Sequence, residues 1–440
     1  MAAAVCCFLY RIIKINSGIM PVLELGFFYT LLVVFYFTFP LIVYLGNGNE
    51  FLLISDSRLR TAAPSPDEMS QIAWYYVLYM MGFTVFYTLV RGKEGYSLKA
   101  IPAQKIENMR FVVTVACYVV VSAIILAVNQ AYHLGDAENY AETYFVFWEL
   151  PTFVRQVYYH AGSCKITIQI VLIVMMMRNL KKYRYIIYGL VLFEFMTTIT
   201  TLHARSSLVF TMFSVLLAYN YFVKRLKVKY ILGFFATLLS VFIILGQLRS
   251  GGEVLSSSLL GFFSHNEFEA VFGTLFHYNQ QVQIGDAMEV SVLRAWLNDV
   301  QNIIPQQLLP FQKIDISHTY SVTYIAGLAD QGGGYPGGTL LEAIIGLGLI
   351  DSLLKGAVIG SIFGYIFRKC MLEKRSFWKA LIYIWVTVLS YKTFARGTFY
   401  LVPQFLYDFV VPIVIIAGIS AILNGAVKAG RKKTTGLFVP

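Results

Sequence analysis

Apolar and polar positions alternate along this chain in long blocks, not with the short periods of a soluble core. Gly26–Leu45 and Gln71–Val90 are each twenty residues without a charge. Twenty helical residues rise about 30 Å, which is the thickness of a bilayer's hydrocarbon core. Charge-poor segments, with soft ends, recur at 22–45, 71–90, 111–130, 161–177, 185–203, 205–223, 230–248, 339–367, 377–395 and 400–424. A spanning strand needs only about ten residues and alternates apolar with polar, so these blocks are too long and too uniform for a barrel. In lipid every backbone polar group must be paired within the structure, which leaves helices. The predicted fold is all-α, a polytopic transmembrane bundle of about ten helices.

The connecting loops predict the orientation. Alternating sides along the ten segments puts six basic clusters together: Arg11–Lys14, Arg91–Arg110, Arg178–Arg184, Lys224–Lys229, Arg368–Lys379 and Lys428–Lys433. They hold 24 of the 35 lysines and arginines. Basic residues near membrane spans stay on the cytoplasmic side, so both termini are placed in the cytoplasm. The opposite side then carries a polar loop at 46–70, an aromatic-rich loop at 131–160 and a long segment at 249–338. Some ninety residues exceed any simple connection, so the long segment is expected to fold on its own. Within it Phe268–Gln280 and Val290–Ile304 read as short helices. Three regions follow: spans one to seven with short loops (1–248), the loop subdomain (249–338), and spans eight to ten with a cytoplasmic tail (339–440).

Composition agrees and removes some alternatives. The chain is 58% hydrophobic and only 13% charged, about half the charge of an ordinary soluble domain. The net charge of +11 would suggest nucleic acid in a soluble protein, but here the cytoplasmic loops account for it. The five cysteines have no metal-ligand spacing and read as free thiols. The first twenty residues lack a cleavage-site pattern, so no signal peptide is expected. No cofactor or metal is implied.

The candidate chemistry lies on the non-cytoplasmic side. Arg205 sits in the turn between spans five and six, Arg249 follows span seven, and Arg396 follows span nine. Guanidinium pairs bidentately with phosphate and keeps its charge when partly buried. Taken singly, each arginine reads as well as an anchor at headgroup level; the set is more informative, because the positive-inside bias makes outer arginines scarce. Lys165 and Lys392 are also on this side and are expected to snorkel. His318 is a candidate proton acceptor, or else a plain surface histidine. Glu342 begins the eighth segment, where a carboxylate is costly unless paired. One of the arginines is its expected partner, so that it serves as a base or as the support of an arginine. Glu194 is the deepest acid, either a proton-relay residue or a structural interhelical bond. His203, Lys313 and Tyr335 are accessory candidates, Tyr335 within the glycine run 332–338, which lacks the Lys-Ser/Thr of a P-loop.

Together these segments resemble the bacterial oligosaccharide repeat-unit polymerases, the Wzy or O-antigen polymerase family. The resemblance covers most of the chain in layout and is specific in patches. These are His203-Ala-Arg205-Ser-Ser before a basic turn, Arg249 opening the long loop, and the Pro305–Lys313 stretch. Gly337-Gly338-Thr-Leu-Leu-Glu342-Ala-Ile-Ile-Gly346-Leu-Gly348 and Ala395-Arg396-Gly397 complete the set. The chain departs from the family where Leu308 and Leu309 replace a tryptophan often found before the loop proline.

The resemblance implies a metal-independent, GT-C-type glycosyltransferase in the bacterial inner membrane. Its substrates would be undecaprenyl-pyrophosphate-linked glycans, and a chain-length co-polymerase would be a possible partner. Arg205, Arg249 and Arg396 would stabilise the leaving pyrophosphate, and His318 or Glu342 would take the acceptor's proton. The nearest rival is the O-antigen ligase, which uses the same donor. A precursor transporter or flippase is the rival from another class, and it predicts several midplane charges and an internal repeat.

Overall fold

The computed structural model describes residues 10, 24–47, 65–93, 108–134, 146–147, 149–201, 205–224, 226, 229–231, 233–234, 237, 267–304, 308–310, 313, 315–325, 337–373 and 376–435. Among these residues every regular element is a helix. Five helices are long and apolar enough to cross a membrane: Pro66–Arg91, Asn108–Ala131, Thr152–Met177, Leu349–Leu372 and Leu401–Ala426. Shorter apolar helices cover Leu25–Val34, Ser207–Phe222 and Phe377–Leu389. The segment 230–248 falls almost wholly outside the described residues.

In chain order the helices are α1 Leu25–Asn47, α2 Pro66–Arg91, α3 Asn108–Ala131, α4 Thr152–Met177, α5 Leu180–Thr201 and α6 Arg205–Phe222. The loop region supplies α7 Glu267–Gln283, α8 Val292–Leu297, a 3-10 turn Val300–Ile303 and α9 Ile316–Tyr324. Then come α10 Gly338–Ile345, α11 Leu349–Phe367, α12 Phe377–Leu389, α13 Lys392–Ala395, α14 Leu401–Gln404 and α15 Val411–Thr435. A π turn, Arg368–Leu372, extends α11, and another, Phe405–Val410, joins α14 to α15.

The chain divides into two compact units that are discontinuous in sequence. One comprises Met1–Leu98 with Leu226–Pro403, the other Lys99–Arg225 with Gln404–Pro440. The first unit is built on the pairing of α2 with α11. Local chemistry fixes where α2 starts. Ser65 accepts the Glu68 N–H at 3.3 Å, and the Glu68 carboxylate accepts the Ser65 N–H at 2.6 Å. This reciprocal capping box, with Pro66 at the first helical position, satisfies donors that otherwise have no partner.

Small residues every fourth position bring α11 close to α2. Ser352 donates to the Tyr75 carbonyl at 2.7 Å. A Cβ placed on Gly356 would stand 2.1 Å from the Tyr79 carbonyl oxygen, and one on Gly360 would stand 2.4 Å from that of Phe83. On Gly364 it would lie 2.8 Å from that of Tyr87, and from the α2 side Gly82 meets the Leu353 oxygen at 2.2 Å. Lipid tails give no hydrophobic drive to helix pairing, so this stripe associates through close backbone contact, one hydroxyl bond and van der Waals packing. Aromatic rings fill the adjoining core: Phe363 meets Tyr29 edge-on at 5.1 Å and Phe83 at 6.3 Å.

The expected eighth span, 339–367, is two helices. The turn Gly346-Leu347-Gly348 separates α10 from α11, with Gly348 at φ +68° in the left-handed region. In a continuous helix residues 342 and 355 would be separated by about 20 Å. The bend brings their charged groups to 3.0 Å. Glu342 therefore lies in a short helix before the span, not in the span's first turn.

In the second unit α4 is central. Ile168 to Met177 is buried throughout, and α4 packs on α3, α5, α6 and α15. It begins at Thr152, so Tyr158 and Tyr159 belong to a helix and not to the loop expected there. Among the described residues, Cys117, Cys164 and Cys370 form no disulfide.

Candidate functional site

A buried polar cluster in the first unit surrounds Glu342, which is 2% exposed. Its Oε2 accepts from Lys355 Nζ at 3.0 Å, the Thr398 N–H at 3.1 Å and the Thr398 hydroxyl at 2.7 Å. Its Oε1 accepts from Asn298 Nδ2 at 3.4 Å. Lys355 is fully buried and also donates to Thr398 Oγ1 at 3.3 Å. Its ammonium lies 4.5 Å from the centre of the Trp296 ring, and the Trp296 indole donates to Asp351 at 2.7 Å. The ion-pair partner of Glu342 is thus Lys355, not one of the arginines expected from the sequence. A lysine one bend further along the chain reaches the same depth.

Four elements converge here. Helix α10 supplies Glu342 and α11 supplies Lys355. Asn298 and Asp299 follow α8, and the turn after α13 supplies Thr398 and Phe399. Asp299 Oδ2 accepts the Phe399 N–H at 3.0 Å, and Asn298 Nδ2 contacts Asp299 Oδ1 at 3.3 Å. Burial, and the Glu342 carboxylate beside it, push Asp299 well above the usual carboxylate range. Asn298 Oδ1 also accepts the Ile316 N–H at 3.0 Å, which ties the start of α9 into the cluster.

Arg396 and His318 are both exposed. Arg396 closes the turn after α13, its N–H donating to the Lys392 carbonyl at 2.9 Å. His318 is in the first turn of α9, where Asp315 accepts its backbone N–H at 3.1 Å. Lys313 is half-buried. Arg205 is the first residue of α6, but its side chain, like Arg249, His203 and Tyr335, lies outside the described residues.

A second histidine was not singled out in the sequence. His277 on α7 bonds through Nδ1 to the Tyr320 hydroxyl at 2.7 Å and through Nε2 to Gln281 at 3.2 Å. Its ring meets those of Tyr320 and Tyr324 edge-on at 5.7 and 5.4 Å. Burial pushes His277 below its ordinary value, and the nearby Asp286 works against that shift. Only the four-residue spacing of Tyr320 and Tyr324 on one short helix hints at this box in the sequence.

The second unit has its own buried ion pair. Glu194, fully buried, faces Lys165 Nζ at 2.9 Å and accepts from the hydroxyls of Tyr118 and, at 2.7 Å, Ser207. Lys165 is 8% exposed and its ammonium lies 5.8 Å from the Phe193 ring centre. It does not snorkel, because a neutralising carboxylate lies within reach. Glu194 on α5 thus bonds to side chains of three other helices, α3, α4 and α6.

Among the described residues, no cluster of three or more histidines, cysteines or acids has the arrangement of a metal site.

No protein-family model matches this chain, and no curated protein or solved structure matches it significantly.

Proposed function

We propose that this chain is a membrane glycosyltransferase that polymerises undecaprenyl-pyrophosphate-linked repeat units at the periplasmic leaflet. In this reading it has about ten spans, a GT-C-like plan, and both termini in the cytoplasm of a bacterial inner-membrane protein. The observation that carries the reading is Arg396, exposed on a turn whose next residues are held by a buried, lysine-neutralised carboxylate. A permanent cation on a fixed backbone suits a reaction whose leaving group gathers negative charge.

The acceptor hydroxyl oxygen attacks the anomeric carbon of the donor sugar. The carbon–oxygen bond to pyrophosphate breaks, and its electron pair leaves with undecaprenyl pyrophosphate. The hydroxyl proton passes to a base. Arg396 stabilises the departing charge, and Arg205 and Arg249 are its candidate companions. His318, exposed on α9, is the favoured base. Glu342 serves as support, because three donors occupy its Oε2. A ligase would use the same donor and the same arginine. A precursor transporter is the second reading, and the Glu194–Lys165 pair among the helices favours it.

The test is a glycan ladder from a strain lacking this gene, complemented with wild type or Arg396→Ala at matched expression. Collapse to a single attached repeat unit in both the null and the variant is the expected result. Loss of every band, the single unit included, would point to ligation or export. A normal ladder from Arg396→Ala would remove the arginine from the mechanism.

A further inference from the structure

Two consecutive backbone N–H groups directly after Arg396-Gly397 are bound by two buried carboxylates from different elements. Thr398 N–H donates to Glu342 at 3.1 Å and Phe399 N–H donates to Asp299 at 3.0 Å. Gly397 fits between them only because it has no side chain. A Cβ there would stand 2.4 Å from Asp299 Oδ2 and 2.7 Å from Glu342 Oε1. From behind, a Cβ on Gly338, which has φ +64°, would stand 2.3 Å from the Phe394 carbonyl oxygen. The turn is thus held on both sides by groups that allow almost no displacement. Buried carboxylates are costly, and these two both bond to backbone of this one turn.

We infer that Asp299 and Glu342 are positioning residues for Arg396, gripping the turn that carries it so that the guanidinium is presented from a fixed backbone. The inference rests on the proposed role of Arg396 and extends it. Asn298 spans the two acids and also bonds the first N–H of α9, so the cluster that holds Arg396 also seats the helix bearing His318. Neither Asp299 nor Glu342 touches substrate in this scheme; both act through the backbone. Lys355 makes the arrangement tolerable by neutralising Glu342 at 3.0 Å.

The experiment has two independent arms, both on the full chain in lipid nanodiscs or native vesicles. The first measures amide hydrogen exchange of peptides covering Thr398 and Phe399 in wild type, Asp299→Ala and Asp299→Asn. Asp299→Ala should speed exchange by at least about tenfold. Asp299→Asn should restore protection, since its carbonyl oxygen takes the same N–H in the same space. Unchanged protection in Asp299→Ala overturns the inference.

The second arm measures the initial rate of chain extension in vesicles holding the strain's own lipid-linked repeat units. Asp299→Ala should lower it on the order of 10- to 100-fold, as a misplaced transition-state group does. In an Arg396→Ala background the same change should cost less than about twofold, because the group it positions is already gone. Losses that multiply would mark a general structural role and overturn the inference. If Arg396→Ala keeps full activity while Asp299→Ala loses amide protection, the grip on the turn stands and the catalytic reading of Arg396 falls.

Discussion

Replacing Lys355 by methionine should destabilise the protein far more than replacing Lys355 and Glu342 together. Methionine preserves most of the stem volume but removes the ion-pair partner, among the described residues, of a carboxylate that is 2% exposed. The donors from Thr398 and Asn298 stay in place, so the loss is chiefly the counter-charge and the ammonium's contact with Trp296 at 4.5 Å. Breaking one side of a buried pair costs about 3–5 kcal/mol, and the contact with the indole adds about 0.5–2 kcal/mol. With total stabilities of about 5–15 kcal/mol, that is a large fraction. Glu342→Gln with Lys355→Met removes both charges of the pair, and the glutamine can still accept from Thr398. Most of the loss should return, giving a coupling energy of roughly 2–3 kcal/mol in the double-mutant cycle. The assay is equilibrium unfolding of the purified protein by sodium dodecyl sulfate in mixed micelles, followed by tryptophan fluorescence. A Lys355→Met cost below about 1 kcal/mol, or a double variant no better than the single one, would refute the assignment of a charged, desolvated pair.

Gly360→Ala places a methyl 2.4 Å from the Phe83 carbonyl and should cost about 1–3 kcal/mol by forcing α2 and α11 apart. Gly418→Ala, whose Cβ meets nothing within 4 Å, should leave the melting temperature unchanged or slightly raised; comparable losses from the two would argue against the close-packed stripe. In the second unit, Ser207→Ala removes a 2.7 Å bond to Glu194, and thermal unfolding should report a loss of about 1–3 kcal/mol. Asp299 gives a pH signature. Its folded value lies above its ordinary 3.8 because burial and Glu342 disfavour the charge. Its favourable contribution is therefore complete below that ordinary value and lost as pH rises through the folded one. Stability of the wild type should fall relative to Asp299→Asn as pH is raised from about 4 toward neutrality, and parallel curves in a pH series of unfolding measurements would contradict this.

The spans were legible because the bilayer imposes a single length and a single composition on them. Asn108–Ala131 lies where its charge-poor block places it, while Pro66–Arg91 and Thr152–Met177 cover their blocks and begin earlier, five and nine residues ahead. The loop helices were legible as short helices at 268–280 and 290–304, the second of which is α8 followed by a 3-10 turn. The break in the eighth block was not. Gly346 and Gly348 sit in an apolar run that reads equally well as one helix, and only the packing of α10 on α11 selects the turn. The stripe Ser352, Gly356, Gly360, Gly364 takes its meaning from the structure, where it faces the backbone of α2. Asp299 carried no such mark: one acid in a polar stretch gains meaning only from what reaches it.

By itself the sequence determined that this chain is helical, with segments long and apolar enough to cross a membrane, because hydropathy and backbone pairing in lipid are properties of single segments. It also marked Arg396, His318 and Glu342 as residues with chemistry to offer. Tertiary structure decided the partners. Glu342 with Lys355, Glu194 with Lys165, and Asp299 with the Phe399 N–H are pairings between helices or across a bend. Their energy depends on the distance and burial of two groups at once, and no linear pattern encodes either.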